Sequence, residues 1–343
     1  MKIALLVPAP FETLSGGYLY DQRMVAGLRA LGHDVEVLEL AGRHPLPDPA
    51  AEAAARAALE RLGPERLPVV DGLGLPAFRP LLGELIARRA VGLIHHPTAL
   101  ERGLDAERLR AIEAAMLPRL PRLIATSRLT AERLAKDFAV DPDRIGVVEP
   151  GTDPAPRARG SADGVCRILS VGALVPRKGH DVLLRALARL TDLDWRLTIV
   201  GAARDPVHAD GLQALAEELG IAQRVTFAGE LSGPALAAAY DTADLFALAT
   251  YWEGYGMAAA EALARGLPCA ITAGGAIAEV VPKEACVLSP PGDAASLSRA
   301  MRRVIFDSAL RARMADAAWA AAQRLPRWED RAALFAAELE RVA

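Results

Sequence analysis

The chain has 343 residues, of which 52% are hydrophobic and 24% are charged, a balance that is ordinary for a globular protein. This length exceeds what one hydrophobic core comfortably supports, so it favours two domains of roughly 150 residues each. The formal net charge of −3 argues against a nucleic-acid partner.

Cysteine usage and the lack of long apolar runs indicate the compartment. Cys166, Cys269 and Cys286 lie far apart in apolar stretches without metal-ligand spacing, so we expect buried free thiols in a reducing environment. The first residues, MKIALLVPAP, hold an apolar run that is too short for a signal peptide and predicts a strand. No run of roughly 20 apolar residues predicts a membrane span. We expect a cytoplasmic protein of bacterial type, or one that rests on the inner membrane face.

In the first half of the chain, short apolar runs alternate with amphipathic segments. This spacing is typical of βαβ units and a parallel sheet. The predicted helices include residues 16–32, which Gly32 would end, and the Ala-rich stretch 49–62. The predicted strands are 3–9, 34–40, 68–72, 90–97, 122–127 and 144–150.

The stretch Gly151–Val165 is rich in Pro, Gly and Ala without apolar periodicity, and it predicts an interdomain linker. The alternation then resumes. Pro326 interrupts the helical C-terminal segment, so a last helix from Trp328 to about Val342 can pack away from the second domain. The predicted strands of this half are 166–173, 195–202, 225–230, 245–249, 268–272 and 285–290.

These patterns predict an α/β fold of two facing Rossmann-like, doubly wound domains with a cleft between them. The first would comprise residues 1–155, completed by the C-terminal helix 327–343, and the second residues 156–326. Doubly wound sheets bind ligands outside the carboxyl ends of their strands, so the cleft is the expected active site.

The segment 248–268, LATYWEGYGMAAAEALARGLP, carries the most chemical information. It predicts a strand, a loop, and a helix from Met257 to Arg265 whose free amides near Gly256 suit a phosphate. Glu253 and Glu261 flank that helix start; eight helical residues span about 12 Å, a distance that suits the hexose and ribose of a nucleotide sugar. The alternative is an ordinary loop Glu and a solvated Glu on a helix face.

The two glutamates, the intervening GYGMAAA and the following ALARGLP resemble the E-x7-E signature of family-four retaining glycosyltransferases of the GT-B fold. The resemblance implies that Glu253 binds donor-sugar hydroxyls and Glu261 the ribose. It also implies that the diphosphate lies at the helix start formed by Gly254, Tyr255, Gly256 and Met257. The second domain would then bind the donor and the first domain the acceptor.

A second candidate element lies at 171–187, VGALVPRKGHDVLLRAL, where Gly172 ends a strand and Arg177 and Lys178 precede a helix. Cations are unfavourable at a helix start unless an anion is near, and both side chains donate charge-assisted hydrogen bonds to phosphates. The family usually has Gly-Arg-Leu before Lys-Gly. Here Ala173 stands where that Arg is expected, and we expect Arg177 to replace it. The alternative is two solvent-facing charges.

The first domain offers weaker candidates. Gly16–Gly17 resemble the family's glycine pair next to the donor phosphate and the acceptor, or they form only a turn; they do not form a dinucleotide-binding G-x-G-x-x-G motif. The family commonly has a His at the end of strand 90–97 that contacts the donor sugar. We favour His96, with His95 as second choice, and a buried structural His is the alternative. Asp71 and Glu12 are minor acceptor-side candidates.

Two further stretches resemble the same family. VTFAGEL (225–231) matches the segment that holds the base, with Gly229 and Leu231 as candidate contacts, and AGGAIAEVV (273–281) places Glu279 at a matching acid. We interpret both mainly as markers of the fold. The resemblance covers nearly the whole chain, is most specific over 166–290 and is loose before residue 100.

Together these features predict an enzyme, a hexosyltransferase that moves a sugar from a nucleoside-diphosphate sugar to an acceptor hydroxyl with retention. His96, Arg177, Lys178 and Glu253 are the expected catalytic residues. No Asp-x-Asp motif follows a strand, so we expect no metal ion. We also expect no cofactor. The protein is expected to be a monomer or homodimer. The alternatives are a GT-B sugar-nucleotide epimerase, a non-catalytic sugar-nucleotide-binding subunit, and a Rossmann dehydrogenase, which the missing fingerprint disfavours. The base, the sugar and the acceptor stay open.

Overall fold

The computed structural model describes residues 1–100 and 104–342, and the chain forms two compact units. The first unit comprises Met1–Gly151 and Pro326–Ala343, and the second comprises Thr152–Leu325. Each unit is built on a sheet of six parallel strands within the described residues. Among those residues, no helix combines the length and the hydropathy that crossing a bilayer would require.

The first sheet has the strand order β2-β1-β3-β4-β5-β6. Its strands read as near-continuous apolar runs because parallel strands are covered on both faces. In β1, for example, every residue after Lys2 is buried. The six strands are β1 (Lys2–Pro8), β2 (Asp34–Leu40), β3 (Arg66–Asp71), β4 (Val91–Ile94), β5 (Arg122–Ala125) and β6 (Ile145–Val147).

The helices of the first unit begin where the sequence supplies capping residues. Asp48, for example, accepts a hydrogen bond from the Ala51 amide at the start of the second helix, and Pro49 occupies its first turn. The helices are α1 (Gly16–Ala30), α2 (Pro49–Arg61), α3 (Leu82–Ala87), α4 (Ala106–Met116), α5 (Arg128–Phe138) and the C-terminal α13 (Trp328–Glu340).

Helix α13 returns to the first unit and packs on α1. The rings of Tyr20 and Trp328 meet edge to face with centroids 6.0 Å apart, and Gly27 lies so close to Ala332 that no side chain fits there. The buried Arg122 on β5 donates to Glu338 on α13 at 2.7 Å. A return of the last helix is what the break at Pro326 permits.

The second sheet has the order β12-β11-β10-β7-β8-β9, so the chain leaves β7 toward one edge and continues from β10 toward the other. Helices cover it through two separate apolar clusters. The strands are β7 (Cys166–Val171), β8 (Trp195–Val200), β9 (Val225–Phe227), β10 (Leu245–Leu248), β11 (Cys269–Thr272) and β12 (Cys286–Ser289). The helices are α6 (His180–Leu187), α7 (Pro206–Glu218), α8 (Gly233–Asp241), α9 (Met257–Ala264), α10 (Ile277–Val280), α11 (Ala294–Phe306) and α12 (Ser308–Ala322).

All twelve predicted strands are confirmed, and the three cysteines are free and buried as predicted. Two details differ. The strand predicted over 90–97 ends at Ile94, so His95 and His96 follow it in a loop and strand alternation does not apply to them. The predicted linker packs on the second unit: Arg159 donates to Asp241 at 2.7 Å, and the Ser161 amide donates to Asp244 at 3.0 Å.

Candidate functional site

The strand order of the second unit brings two loops together. Strands β7 and β10 are neighbours, with Ile168 opposite Leu245, yet the chain leaves them toward opposite edges of the sheet. The carboxyl ends of these two strands are therefore the switch point of the sheet, where the ligand crevice of such sheets lies. The loop after β7 carries Arg177 and Lys178, and the loop after β10 carries Glu253.

These three charged side chains meet in the second unit. The Lys178 ammonium donates to Glu253 Oε1 at 2.6 Å, and Arg177 Nη1 lies 3.8 Å from the same oxygen. Arg177 Nη1 also donates to the Trp252 carbonyl at 2.7 Å. All three side chains are at most 16% exposed. The group holds two cations and one carboxylate, so it has an excess positive charge that suits an anion.

Glu253 is ionised in this arrangement. Burial by itself raises the pKa of a carboxyl, but the charges of Lys178 and Arg177 outweigh burial and hold the pKa of Glu253 below its ordinary value. A buried carboxylate offers acceptor oxygens only, so it can bind hydroxyl groups of a ligand as well as the two cations.

Glycines without room for a side chain fix the backbone of Glu253. Its amide donates to the Gly274 carbonyl at 3.0 Å, and its carbonyl accepts from the Ala276 amide at 2.9 Å. A Cβ on Gly274 would lie 2.5 Å from the Thr250 carbonyl oxygen, and one on Gly275 would collide with Glu253 itself. The pair Gly274–Gly275 therefore belongs to the site as backbone support for Glu253.

Helix α9 starts four residues after Glu253. Its N-cap Gly256 has a φ of 108°, a left-handed conformation that favours glycine, and a Cβ there would lie 2.8 Å from Ile277. No acidic residue occupies the first turn, which begins at Met257. Gly254 is half-buried and Tyr255 is buried just before this start. The free amides of the first turn are thus available to a negative group.

Glu261 lies on α9 and is half-buried. The Tyr240 hydroxyl donates to Glu261 Oε2 at 2.9 Å, and Arg265 stacks over the Tyr240 ring at 4.4 Å. This contact orients the carboxylate from the neighbouring helix α8. Glu261 and Glu253 are held by separate groups of residues.

The remaining predicted contacts of the second unit lie at strand ends. Gly172 follows β7, and a Cβ there would lie 3.2 Å from the Lys178 side chain. Gly229 follows β9 with a φ of 67° and open space around it, and its carbonyl accepts from Gly201 at 2.8 Å. Leu231 is half-buried against the core.

The first unit brings together a different set of charges. His95 Nε2 lies 3.1 Å from Asp21 Oδ1 and 3.4 Å from Asp71 Oδ2. Asp21 is on α1 and Asp71 ends β3, and both are buried. The His95 ring also lies under Gly17, where a Cβ would be 3.3 Å from the ring, and it meets the Tyr20 ring edge to face.

His95 carries a proton in this cluster. Burial opposes the charged ring, but Asp21 and Asp71 outweigh it and raise the pKa of His95 to about 10. These three residues form the group among residues 1–100 and 104–342 whose ligand atoms are close enough to hold a metal ion. The imidazolium already bridges both carboxylates, so the arrangement is that of an internal ion-pair network.

The other predictions for the first unit stay predictions. His96 is half-buried next to His95, and the choice between them as the sugar contact is open. Gly16 begins α1 on the surface, and Glu12 is exposed in the preceding loop.

Several residues of these clusters were not predicted from the sequence. Asp21 occupies the buried face of α1 with Tyr18, Val25 and Leu28, and an acid within that apolar spacing was a readable signal. The Trp252 carbonyl and the buried His180 behind Lys178 gave no such signal. Their roles depend on how distant loops meet.

The comparisons with known proteins find similar sequences for the second unit and similar folds for the chain. The family described as glycosyl transferases group 1 matches residues 153–320, which span nearly all of the second unit and both loops of the crevice. Residues 153–320 are thus similar to the glycosyl transferases of group 1. The first unit lies outside this match.

One curated relative is a D-inositol 3-phosphate glycosyltransferase from Mycobacterium sp. (strain KMS), 38% identical over 182 residues. The match covers 49% of this chain and 41% of the relative, so the chain spans less than half of that relative's length. This relationship supports a group 1 glycosyltransferase and leaves the substrates of the whole protein as a proposal.

Solved structures resemble the chain over 99% of its length. Sucrose-phosphate synthase from Thermosynechococcus elongatus has a TM-score of 0.82 at 22% identity, with 98% of that chain covered. HepE from Anabaena, solved in complex with UDP-glucose, has a TM-score of 0.80 at 17% identity, with 100% covered. The chain therefore has a two-domain Rossmann-like fold of the GT-B type.

Proposed function

We propose that the protein is a retaining glycosyltransferase that moves a sugar from a nucleoside-diphosphate sugar to an acceptor hydroxyl without a metal ion. The observation that carries this proposal is the buried group of Lys178, Arg177 and Glu253 at the point where the second sheet changes direction. Its excess positive charge lies in the part of the chain that matches the group 1 family, beside the start of α9.

In this proposal the cations act on the leaving group. The diphosphate gains negative charge as the glycosidic bond breaks, and preorganised donors stabilise that charge more than they stabilise the bound substrate. Lys178, Arg177 and the first amides of α9 supply these donors. Glu253 lies within ion-pair distance of both cations and compensates only part of their charge.

The two glutamates would bind opposite ends of the donor. When phosphate oxygens replace Glu253 as partners of Lys178, the Glu253 carboxylate becomes available to the sugar hydroxyls. Glu261, oriented by Tyr240, would accept hydrogen bonds from the ribose. This division follows the resemblance to the E-x7-E signature.

Retention would follow from substitution on one face of the sugar. The acceptor oxygen bonds to the anomeric carbon as the bond from that carbon to the phosphate oxygen breaks, and the acceptor proton passes to the leaving phosphate. Proton NMR of the first product checks this: an α-linked product from an α-linked donor supports retention, and a β-linked product overturns it.

The donor is tested first by binding. A thermal-shift panel of UDP, GDP and ADP sugars should show one nucleotide that raises Tm with concentration, because a ligand of the folded state stabilises it by mass action. UDP-glucose is the first probe because of the HepE complex, and inositol phosphates are the first acceptors because of the curated relative. No shift with any nucleotide would overturn the proposal.

Turnover separates the proposal from its alternatives. Transfer that persists in excess EDTA supports the metal-free reaction, whereas loss restored by Mg²⁺ or Mn²⁺ contradicts it. Hydrolysis with a 2-epimerised sugar would instead identify an epimerase. Binding without any turnover would identify a non-catalytic subunit, consistent with Ala173 at the place of the expected Arg.

Two variants test the orientation of the donor. Glu253→Ala should lower transfer by about two orders of magnitude while the nucleoside diphosphate still binds, since it removes a sugar contact of the transition state. Glu261→Ala should weaken nucleoside-diphosphate binding itself. If the two phenotypes are exchanged, the donor lies in the opposite direction.

A further inference from the structure

Helix α6 begins with a completely buried histidine, His180, directly after the Arg177–Lys178–Gly179 sequence. Gly179 precedes it with a φ of 63°, and a Cβ on Gly179 would collide with the Ala249 carbonyl at the end of β10. The loop after β7 is thus pressed against the end of β10. A histidine at this place can hydrogen-bond to the backbone of the loop after β7.

The hydrogen bond of His180 fixes its tautomer. Its Nε2 lies 3.3 Å from the Gly172 carbonyl oxygen, which only accepts, so Nε2 carries the proton. Its Nδ1 is buried without a hydrogen-bond partner among the described residues. Burial, together with the nearby Lys178 charge, lowers the pKa of His180 to about 4. The ring is therefore neutral at physiological pH and donates one hydrogen bond.

His180 donates to the Gly172 carbonyl, and the Lys178 side chain packs against the same residue. A Cβ on Gly172 would lie 3.2 to 3.5 Å from three carbons of the Lys178 side chain. The Lys178 stem thus runs along the Gly172 backbone before its ammonium reaches Glu253 at 2.6 Å. A shift of the Gly172 carbonyl would move the surface that supports the Lys178 stem.

We propose that His180 is a positioning residue: by holding the Gly172 carbonyl it fixes the loop from Gly172 to Lys178, and thereby the place of the Lys178 ammonium. This inference rests on the proposed function, in which Lys178 meets the departing diphosphate. A displacement of a catalytic group by about 1 Å can cost roughly 100-fold in rate, so a support of this kind matters more for turnover than for binding.

The experiment compares two replacements of the same side chain in the full-length protein. His180→Gln places an amide N–H where Nε2 was, and His180→Leu removes the donor. With the best nucleotide sugar, we expect His180→Leu to lower kcat by roughly 10- to 100-fold with a KM change below about threefold, and His180→Gln to recover most of kcat. Leu183→Ala is the control, since it alters the buried face of the same helix and leaves the His180 side chain in place.

A double-mutant cycle with Lys178→Ala tests whether His180 acts through Lys178. If it does, His180→Leu should lower kcat much less in the Lys178→Ala background than in the wild type. Multiplicative effects of the two changes, or equal losses in His180→Leu, His180→Gln and Leu183→Ala, would show a purely structural role and overturn the inference.

A separate readout guards against a variant that fails to fold. Nitrogen-15 NMR of the wild-type protein should show the His180 ring neutral and protonated at Nε2 between pH 5 and 8, and a charged or Nδ1-protonated ring would overturn the inference. The nucleoside-diphosphate thermal shift is measured on every variant. If the wild type itself shows no shift, the proposed function fails; a normal shift with unchanged kcat in His180→Leu disproves the role of His180 alone.

Discussion

Each unit holds a histidine beside a strand end, and His95 is protonated whereas His180 is neutral. In the first unit His95 stands between Asp21 and Asp71, so the group has one more carboxylate than cations. In the second unit His180 is neutral behind Lys178 and Arg177, which share the single carboxylate of Glu253. Only the second group has a charge excess that suits a phosphate.

The difference shows that neighbours, more than burial, set the charge of these histidines. Burial disfavours the imidazolium in both units. Two carboxylates reverse that effect at His95, whereas His180 has only the uncharged backbone of Gly172 and Ala173 in its favour and an ammonium nearby. We therefore expect the first group to stabilise the fold of its unit and the second group to bind an anionic ligand.

The largest expected effect tests the first group. His95→Leu leaves two buried carboxylates without their cation, and breaking a buried ion pair costs about 3–5 kcal/mol of unfolding free energy. Hydrogen exchange at the amides of β4 and α1 measures this loss. His33→Leu, a half-buried His replacement in the same unit, should change exchange little. Adding Asp21→Asn to His95→Leu should restore part of the loss; no loss in His95→Leu would show that the group does not stabilise this unit.

The next effect tests the second group. Lys178→Ala should lower turnover about 100- to 1000-fold, or about 3–4 kcal/mol, with a smaller loss of donor affinity. Steady-state kinetics measures it, and Lys283→Ala, an exposed lysine of the same unit, is the matched control. Arg177→Ala should fall in the same range, with only partial recovery in Arg177→Lys. Equal turnover in Lys178→Ala and Lys283→Ala would show that Lys178 has no catalytic role.

The third prediction is that the units respond oppositely to pH. The folded pKa of His180 is about 4 against an ordinary 6.5, so its contribution is complete above pH 6.5 and is lost toward pH 4, by about 3 kcal/mol. The charges of Lys178 and His208 also lower the pKa of His180. The pKa of His95 is raised to about 10, so its contribution is complete below pH 6.5 and declines toward pH 10.

Hydrogen exchange between pH 5 and 9 checks this contrast at α6 and at β4. His180→Gln should remove the acid-side loss at α6 and leave β4 unchanged. If α6 and β4 lose protection on the same side of neutrality, the opposite charge states of the two histidines are wrong.

The smallest effect concerns the orientation of Glu261. Tyr240→Phe deletes the hydroxyl that donates to Glu261 at 2.9 Å. A lost hydrogen bond of this kind costs about 1 kcal/mol, so the nucleoside diphosphate should bind roughly fivefold more weakly. Calorimetry measures the affinity, and Tyr18→Phe in the first unit is the control because its hydroxyl donates to the Pro8 carbonyl of that unit. Unchanged affinity in Tyr240→Phe would show that Glu261 needs no such support.

Much of the second unit could be predicted because its chemistry is local in sequence. Glu253, Gly256, Met257 and Glu261 lie in one stretch between a strand and a helix stop. Arg177 and Lys178 stand out because cations at a helix start call for an anion. The pairing of Lys178 with Glu253 joins residues 75 apart in sequence. No local pattern predicts it, since it depends on the adjacency of β7 and β10.

The site of the first unit could be predicted less well, because its residues are distant from one another in sequence. Its histidine pair was visible, but Asp21, Asp71 and His95 come from three separate elements, and a single sequence does not show which of two adjacent histidines faces them. The predicted strand 90–97 also ran past Ile94, where the hydrogen-bonded ladder to β5 ends.

The sequence by itself determined the twelve strands, the return of the last helix and the candidate charges, because apolar periodicity, capping residues and glycine positions act over a few neighbouring residues. Only the tertiary structure decided which charges pair and which histidine carries a proton. Those properties depend on burial and on the distances between groups far apart in the chain, and these exist only after both sheets have formed.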